Sequence, residues 1–150
     1  TIKDEMPADV GMAFFECAKA ITKVSGSSFG TLMATALMAA GKQAKGQGQI
    51  AWSEVPNLLQ AGMDAMIARG GASLGDKTVL DSLDAVIKAT QGIDEPKVML
   101  EAAVKASDEA LAVFKNQQCK VGRARIFGER TVGMDDPGMV AIARMLECVS

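Results

Sequence analysis

The chain has 150 residues, 49% hydrophobic and 23% charged, with a formal net charge of −2. That size fits one domain over residues 1–150 with a substantial core, and the weak charge excludes a general nucleic-acid-binding field. No apolar run is long enough to cross a membrane, and the absence of histidine removes Ser-His-Asp and Cys-His triads and every His-based metal site.

Helical periodicity runs almost throughout. Val10, Phe14, Cys17, Ile21 and Val24 recur at helical spacing behind Asp9, a suitable N-cap. Ser27 or Ser28 can start a second helix with Leu32, Met33, Ala36, Leu37 and Ala40 on its apolar stripe, ending at Gly41 or at the glycines 46 and 48. The Gly46-Gln47-Gly48-Gln49 stretch reads as a flexible connection. A third helix follows Ser53, accepts Pro56 in its first turn and ends at Gly70-Gly71, with Val55, Leu58, Leu59, Met63, Met66 and Ile67 inward.

Asp76 is the expected cap of a fourth helix carrying Val79, Leu80, Leu83, Val86 and Ile87, which ends near Gly92. Pro96 opens a fifth, with Leu100, Ala103, Val104, Leu111 and Phe114 inward. Asp136-Pro137 starts the last, which runs to about Cys148. No useful period-2 segment interrupts this pattern, so the expected fold is all-α, an antiparallel up-and-down helical barrel or bundle. The methionines read mainly as core filler. Cys17, Cys119 and Cys148 form no CxxC pair and read as small packing residues; their odd number favours reduced thiols and a cytoplasmic location. Thr1 to Pro7 do not resemble a signal peptide.

Three loops leading into helices carry the chemistry. Val24-Ser25-Gly26-Ser27-Ser28 offers small residues, hydroxyls and N–H groups, although an ordinary capped turn has the same composition. Arg69-Gly70-Gly71 to Gly75-Asp76-Lys77-Thr78 lacks the Walker spacing and is not a P-loop. Residues 122–138 set Arg123, Arg125 and Arg130 among glycines before a helix start, with Glu129 near enough to pair with an arginine. Guanidinium groups beside a helix N-terminus suit a polyphosphate.

Taken in order and spacing, Val24-Ser25-Gly26-x-x-Phe29-Gly30-Thr31, Gly75-Asp76-Lys77-Thr78, Gly122-Arg123-Ala124, Gly128-Glu129-Arg130-Thr131-x-Gly133 and Asp135-Asp136-Pro137-Gly138 resemble the dihydroxyacetone kinase L-subunit family. The same unit forms the C-terminal nucleotide-binding domain of single-chain dihydroxyacetone kinases. The resemblance covers essentially the whole chain. It implies a helical barrel that binds ADP or ATP and takes part in phosphoryl transfer to a short-chain ketose or triose. The acceptor would be held on a partner K-type subunit or domain, so no catalytic residue is assigned to this chain. A phosphotransferase-system protein is the alternative phosphoryl donor, and a homodimer is compatible with the pattern. The resemblance places Val24, Ser25 and Gly26 along the phosphates, Gly70 and Val79 at the nucleotide's frame, Arg123 in contact with it, and Asp136, Pro137 and Gly138 at the closing edge.

The chain departs from the family pattern twice. Thr22-Lys23-Val24-Ser25-Gly26 stands where the family has Gly-Gly-Ala-Ser-Gly, and Lys23 could replace backbone freedom with charge. The Gly-Asp-(Gly/Ala)-Asp-His-Gly loop, whose aspartates hold Mg²⁺ in the family, is absent, and Asp4, Glu5 and Asp9 lack its spacing. Because the chain starts with Thr1, N-terminal truncation is the expected reason, and metal ligands are assigned to none of these residues. The alternative is a non-catalytic helical binding or regulatory module that has lost the metal site.

Overall fold

The computed structural model describes residues 6–149, and all regular elements among them are helical. The chain divides into two compact units, residues 1–70 and 71–150.

The first unit contains α1 (Val10–Val24), α2 (Ser28–Gln43), a 3-10 turn (Trp52–Glu54) and α3 (Val55–Gly70). Asp9 caps α1 by accepting from the Met12 N–H, and its second oxygen accepts from Gly46 N–H at 2.6 Å. Val10 N–H donates to the Gln47 carbonyl at 2.8 Å, so the expected flexible 46–49 connection is tied to the start of α1. Of the two serines that could start α2, Ser27 is the N-cap. Gly41 does not end α2. It lies buried within the helix, where α1 crosses: a Cβ on Gly11 would collide with the Gly41 carbonyl and lie 2.6 Å from Lys45 Cα. Small residues are what permit this crossing. Ala40, Ala44 and Leu58 form a buried cluster, flanked by Val10, Phe14 and Ile50. Val24, placed on the inward stripe of α1 by periodicity, is 86% exposed, because the helix ends there and its last turn leaves the packed face. Trp52 is half exposed on the 3-10 turn.

The second unit contains α4 (Val79–Thr90), α5 (Pro96–Lys115), a 3-10 segment (Arg123–Thr131) and α6 (Pro137–Glu147). Each of its three α-helices packs on the other two. Leu80, Val86, Ile87, Met99, Ala103, Met139 and Ile142 are buried between them. Asp76 is not the cap of α4. Thr78 is, because Asp81 reciprocates: the Thr78 hydroxyl accepts from Leu80 N–H, and Asp81 accepts from Thr78 N–H at 2.8 Å. Asp76 instead accepts from Ser73 N–H at 2.8 Å and shapes the preceding turn. Asp136 and Pro137 take the N-cap and first-turn positions expected of them in α6.

The filler role of methionine holds for Met63, Met66, Met99 and Met139, which are buried, but not for Met12, Met38, Met134 and Met145, which are exposed. Cys119 is buried and Cys17 half-buried, while Cys148 is exposed just past the end of α6 and packs against no core.

Candidate functional site

In the first unit, the α1–α2 turn holds Val24, Ser25 and Gly26. Ser25 N–H closes the end of α1 on the Ile21 carbonyl at 2.9 Å, and its hydroxyl lies 2.9 Å from that of Ser27. The Ser25 side chain lies over Gly30, where a Cβ would sit 2.6 Å from Ser25 Cβ. Gly26 faces open space. Gly70, the last residue of α3, approaches Leu32 in the early turns of α2; a Cβ there would be 3.2 Å from Leu32 Cδ2. The four candidates of this unit therefore lie at one end of its helices. Lys23 is exposed beside them.

In the second unit, α4 and α6 begin side by side. A Cβ on Gly138 would fall 3.3 Å from Val79 Cβ and 3.4 Å from Val79 N. A side chain at this position would crowd the two helix starts. Val79 and Gly138 sit in first turns, where helical N–H groups have no partner within the helix. No described group accepts from either N–H. Both helix dipoles place partial positive charge there. Val79, Asp136, Pro137 and Gly138 are thus brought together.

Arg123 is exposed at the start of the 3-10 segment of the same unit. Residues 122–138 are not an open loop. They form helical turns broken at Gly128 (φ 53°), with Gly122 and Gly133 also at positive φ. Arg123, Arg125 and Arg130 are all exposed, and none pairs with Glu129 or any other described residue. The anticipated Glu129 pairing is absent: the kink at Gly128 sets Glu129 apart from Arg123 in the other half of the segment, and nothing in the structure explains why Arg130 stays unpaired. The guanidinium groups are left available to a ligand.

The segment walls a cavity of about 380 Å³, lined by Ala124, Phe127, Met134 and Pro137 on its apolar side and by Lys77, Cys119, Arg130 and Asp136 on its polar side. A mostly apolar hollow with a few converging polar groups is the usual form of a small-molecule site. Phe127, Met134, Cys119 and Lys77 were not singled out from the sequence as site residues. The Gly75-Asp76-Lys77-Thr78 motif was a signal for Lys77, whereas nothing in the pattern around Cys119 marks it. The Cys119 thiol donates to the Lys77 carbonyl at 3.4 Å and lies 3.8 Å from Asp136 Oδ1. Burial and the neighbouring Asp136 carboxylate hold its pKa above the ordinary 9.0, against the opposing charge of Lys77.

The carboxylates of this unit do not fit a magnesium site. Asp136 caps α6 through Oδ2, Asp81 spends both oxygens on Gly75 and Thr78 N–H groups, and Asp135 faces the Lys115 ammonium at 3.6 Å. No cluster of three or more His, Cys, Asp or Glu side chains among the described residues is placed to hold a metal ion. Asp4 and Glu5 lie outside the described residues. Among those residues no helix is long and apolar enough to cross a membrane.

The class defined by these observations is an all-helical bundle. The same fold occurs in the crystal structure of the dihydroxyacetone kinase of C. freundii, at a TM-score of 0.72 and 24% identity over 94% of this chain and 23% of that one. The DAK2 domain family matches residues 1–150, and the chain belongs to that family. It is 26% identical to the PEP-dependent dihydroxyacetone kinase, ADP-binding subunit DhaL of Escherichia coli K12, over 99% of this chain and 75% of that subunit. It is 35% identical to the PTS-dependent dihydroxyacetone kinase, ADP-binding subunit DhaL of Lactococcus lactis, over 85% of this chain and 59% of that subunit. Against human triokinase/FMN cyclase it is 31% identical over 95% of its own length, which is 25% of that enzyme.

Proposed function

We propose that residues 1–150 act as the nucleotide-binding domain or subunit of a dihydroxyacetone-type kinase, binding ADP or ATP. The observation that carries this reading is the pair of adjacent helix starts, with unshared N–H groups at Val79 and Gly138. Backbone N–H groups at two helix N-termini hold phosphate oxygens without a side chain. Arg123 adds a charge-assisted contact from the 3-10 segment, and Asp136-Pro137 fixes the α6 start. Val24, Ser25, Gly26 and Gly70 are proposed as nucleotide contacts on the family motifs alone. Two relatives named as ADP-binding subunits support the ligand class.

Such a domain would bind the phosphoryl groups, orient them and offset their charge, which is most of what phosphoryl transfer demands of a protein. The acceptor, a short-chain ketose or triose, would sit on a K-type partner. The donor would be ATP itself or a phosphotransferase-system protein that recharges bound ADP, and the compartment would be the cytoplasm. Magnesium, where it accompanies the nucleotide, supplies charge neutralisation. Its ligands would come from outside the described residues.

Calorimetric titration with ADP at low salt tests this. Binding is expected, and Arg123→Ala should weaken it about tenfold, the order of one charge-assisted hydrogen bond. Absence of any heat or melting shift with wild-type protein at millimolar ADP would overturn the reading.

A further inference from the structure

Lys77 is the most buried lysine among the described residues, 1% exposed, and their only non-glycine residue at positive φ (61°). Its ammonium donates to the carbonyls of Lys115 (3.1 Å), Gln117 (2.8 Å) and Thr131 (2.8 Å). Three donors meet three acceptors, so none is left to reach a phosphate. The first two carbonyls close the end of α5, where a cation also suits the helix dipole. The third lies at the far end of the arginine-bearing segment. The side chain thus gathers the end of α5 and the far end of that segment onto one point.

The main chain around Lys77 is joined to the same place. Its carbonyl accepts from the Cys119 thiol, the Asp76 carbonyl accepts from Lys120 N–H at 3.2 Å, and the Lys120 ammonium donates to the Gly75 carbonyl at 2.9 Å. Cys119 N–H donates to the Thr131 hydroxyl at 2.9 Å, and Gly133 N–H to the Lys115 carbonyl at 2.8 Å. One residue further along, Thr78 caps α4 and Val79 begins it. Beyond Thr131 and Gly133 the chain reaches Asp136 and α6.

We infer that Lys77 is a positioning residue that holds the start of α4 and the Arg123–Thr131 segment in fixed register, and thereby sets the nucleotide site without touching the nucleotide. Its left-handed backbone directs the side chain inward from a turn where glycine would otherwise be favoured. The second half of this inference rests on the nucleotide reading; the first does not.

Trypsin separates the two halves, because Arg123, Arg125 and Arg130 are exposed cleavage points within the segment held by Lys77. Cleavage at these arginines is measured by mass spectrometry relative to cleavage at Lys42 and Lys45 in the first unit, an internal reference that follows general loosening. In Lys77→Met, which keeps bulk and loses the donors, the ratio should rise at least tenfold while far-ultraviolet circular dichroism stays helical. Lys77→Arg should not restore it, since a planar guanidinium cannot converge on three carbonyls. ADP should slow loop cleavage in wild type and lose that effect in Lys77→Met. An unchanged cleavage ratio in folded Lys77→Met overturns the inference. A raised ratio with no ADP protection in wild type leaves the anchoring role standing and counts against the nucleotide reading. Should Lys77→Met fail to fold, hydrogen exchange on the wild type decides. Cys119, Lys120 and Gly133 amides should exchange together as one closed base, and rates differing by more than tenfold among them would overturn the inference.

Discussion

A methyl group added at Gly138 would come 3.0 Å from Asp136 Oδ2 and 3.3 Å from Val79 Cβ. Neither neighbour is free to retreat: Asp136 is the cap of α6, and Val79 is buried in the first turn of α4. Gly138→Ala should therefore push the two helix starts apart. ADP affinity should fall about tenfold or more while the melting temperature drops by only a few degrees, the scale of about 1 kcal/mol in a domain of this size. Parallel titration and thermal melts check both numbers. Gly26, by contrast, faces open space, and its φ lies outside the left-handed range, so its presence in the motif has no steric reason in this structure.

The element most informative about sequence reading is α4. Periodicity placed its apolar stripe correctly, and Val79, Leu80, Leu83, Val86 and Ile87 are all buried. Its start was misplaced by two residues because Asp76 and Thr78 are both competent caps, and the choice depends on whether residue three of the helix answers back. Asp81 does so for Thr78 alone. Thr78→Ala should cost about 1 kcal/mol, within the usual range for an N-cap, and Asp76→Ala clearly less, as measured by urea denaturation. The segment 122–138 shows the opposite case. Its composition announced a ligand, but the 3-10 turns and the cavity behind them depend on contacts with Lys77 and the end of α5, up to 54 residues distant. Local pattern cannot carry that information.

At the scale of the whole molecule, all six α-helices among the described residues were legible, with ends generally within a residue or two, because amphipathic stripes and caps are local signals. The helix starts among the candidates were legible from their caps, and the structure sets Val79 beside Gly138. It was not legible where it rests on tertiary anchoring, as with Lys77, Cys119 and Phe127. Cys119 also gives the folded protein a pH dependence. Its folded pKa lies above the unfolded 9.0, so its contribution to stability is complete below 9.0 and is lost as pH rises through the higher folded value. Stability of the wild type should decline above about pH 9, and Cys119→Ala should flatten part of that slope in denaturant titrations at successive pH values. Cys148, exposed, should react with a thiol reagent well before Cys119 at neutral pH.

Trp52 is the chain's one tryptophan, and tyrosine is absent. It stands half exposed in the first unit, on the 3-10 turn before α3. The molecule is therefore optically one-sided. Intrinsic emission excited at the red edge of the protein band originates in residues 1–70 alone, and a second unit that holds the arginine segment and its cavity is dark. An unfolding curve read by that emission follows one unit while the other goes unseen. A tryptophan in place of Phe127, which lines the cavity, would give the silent half its own signal.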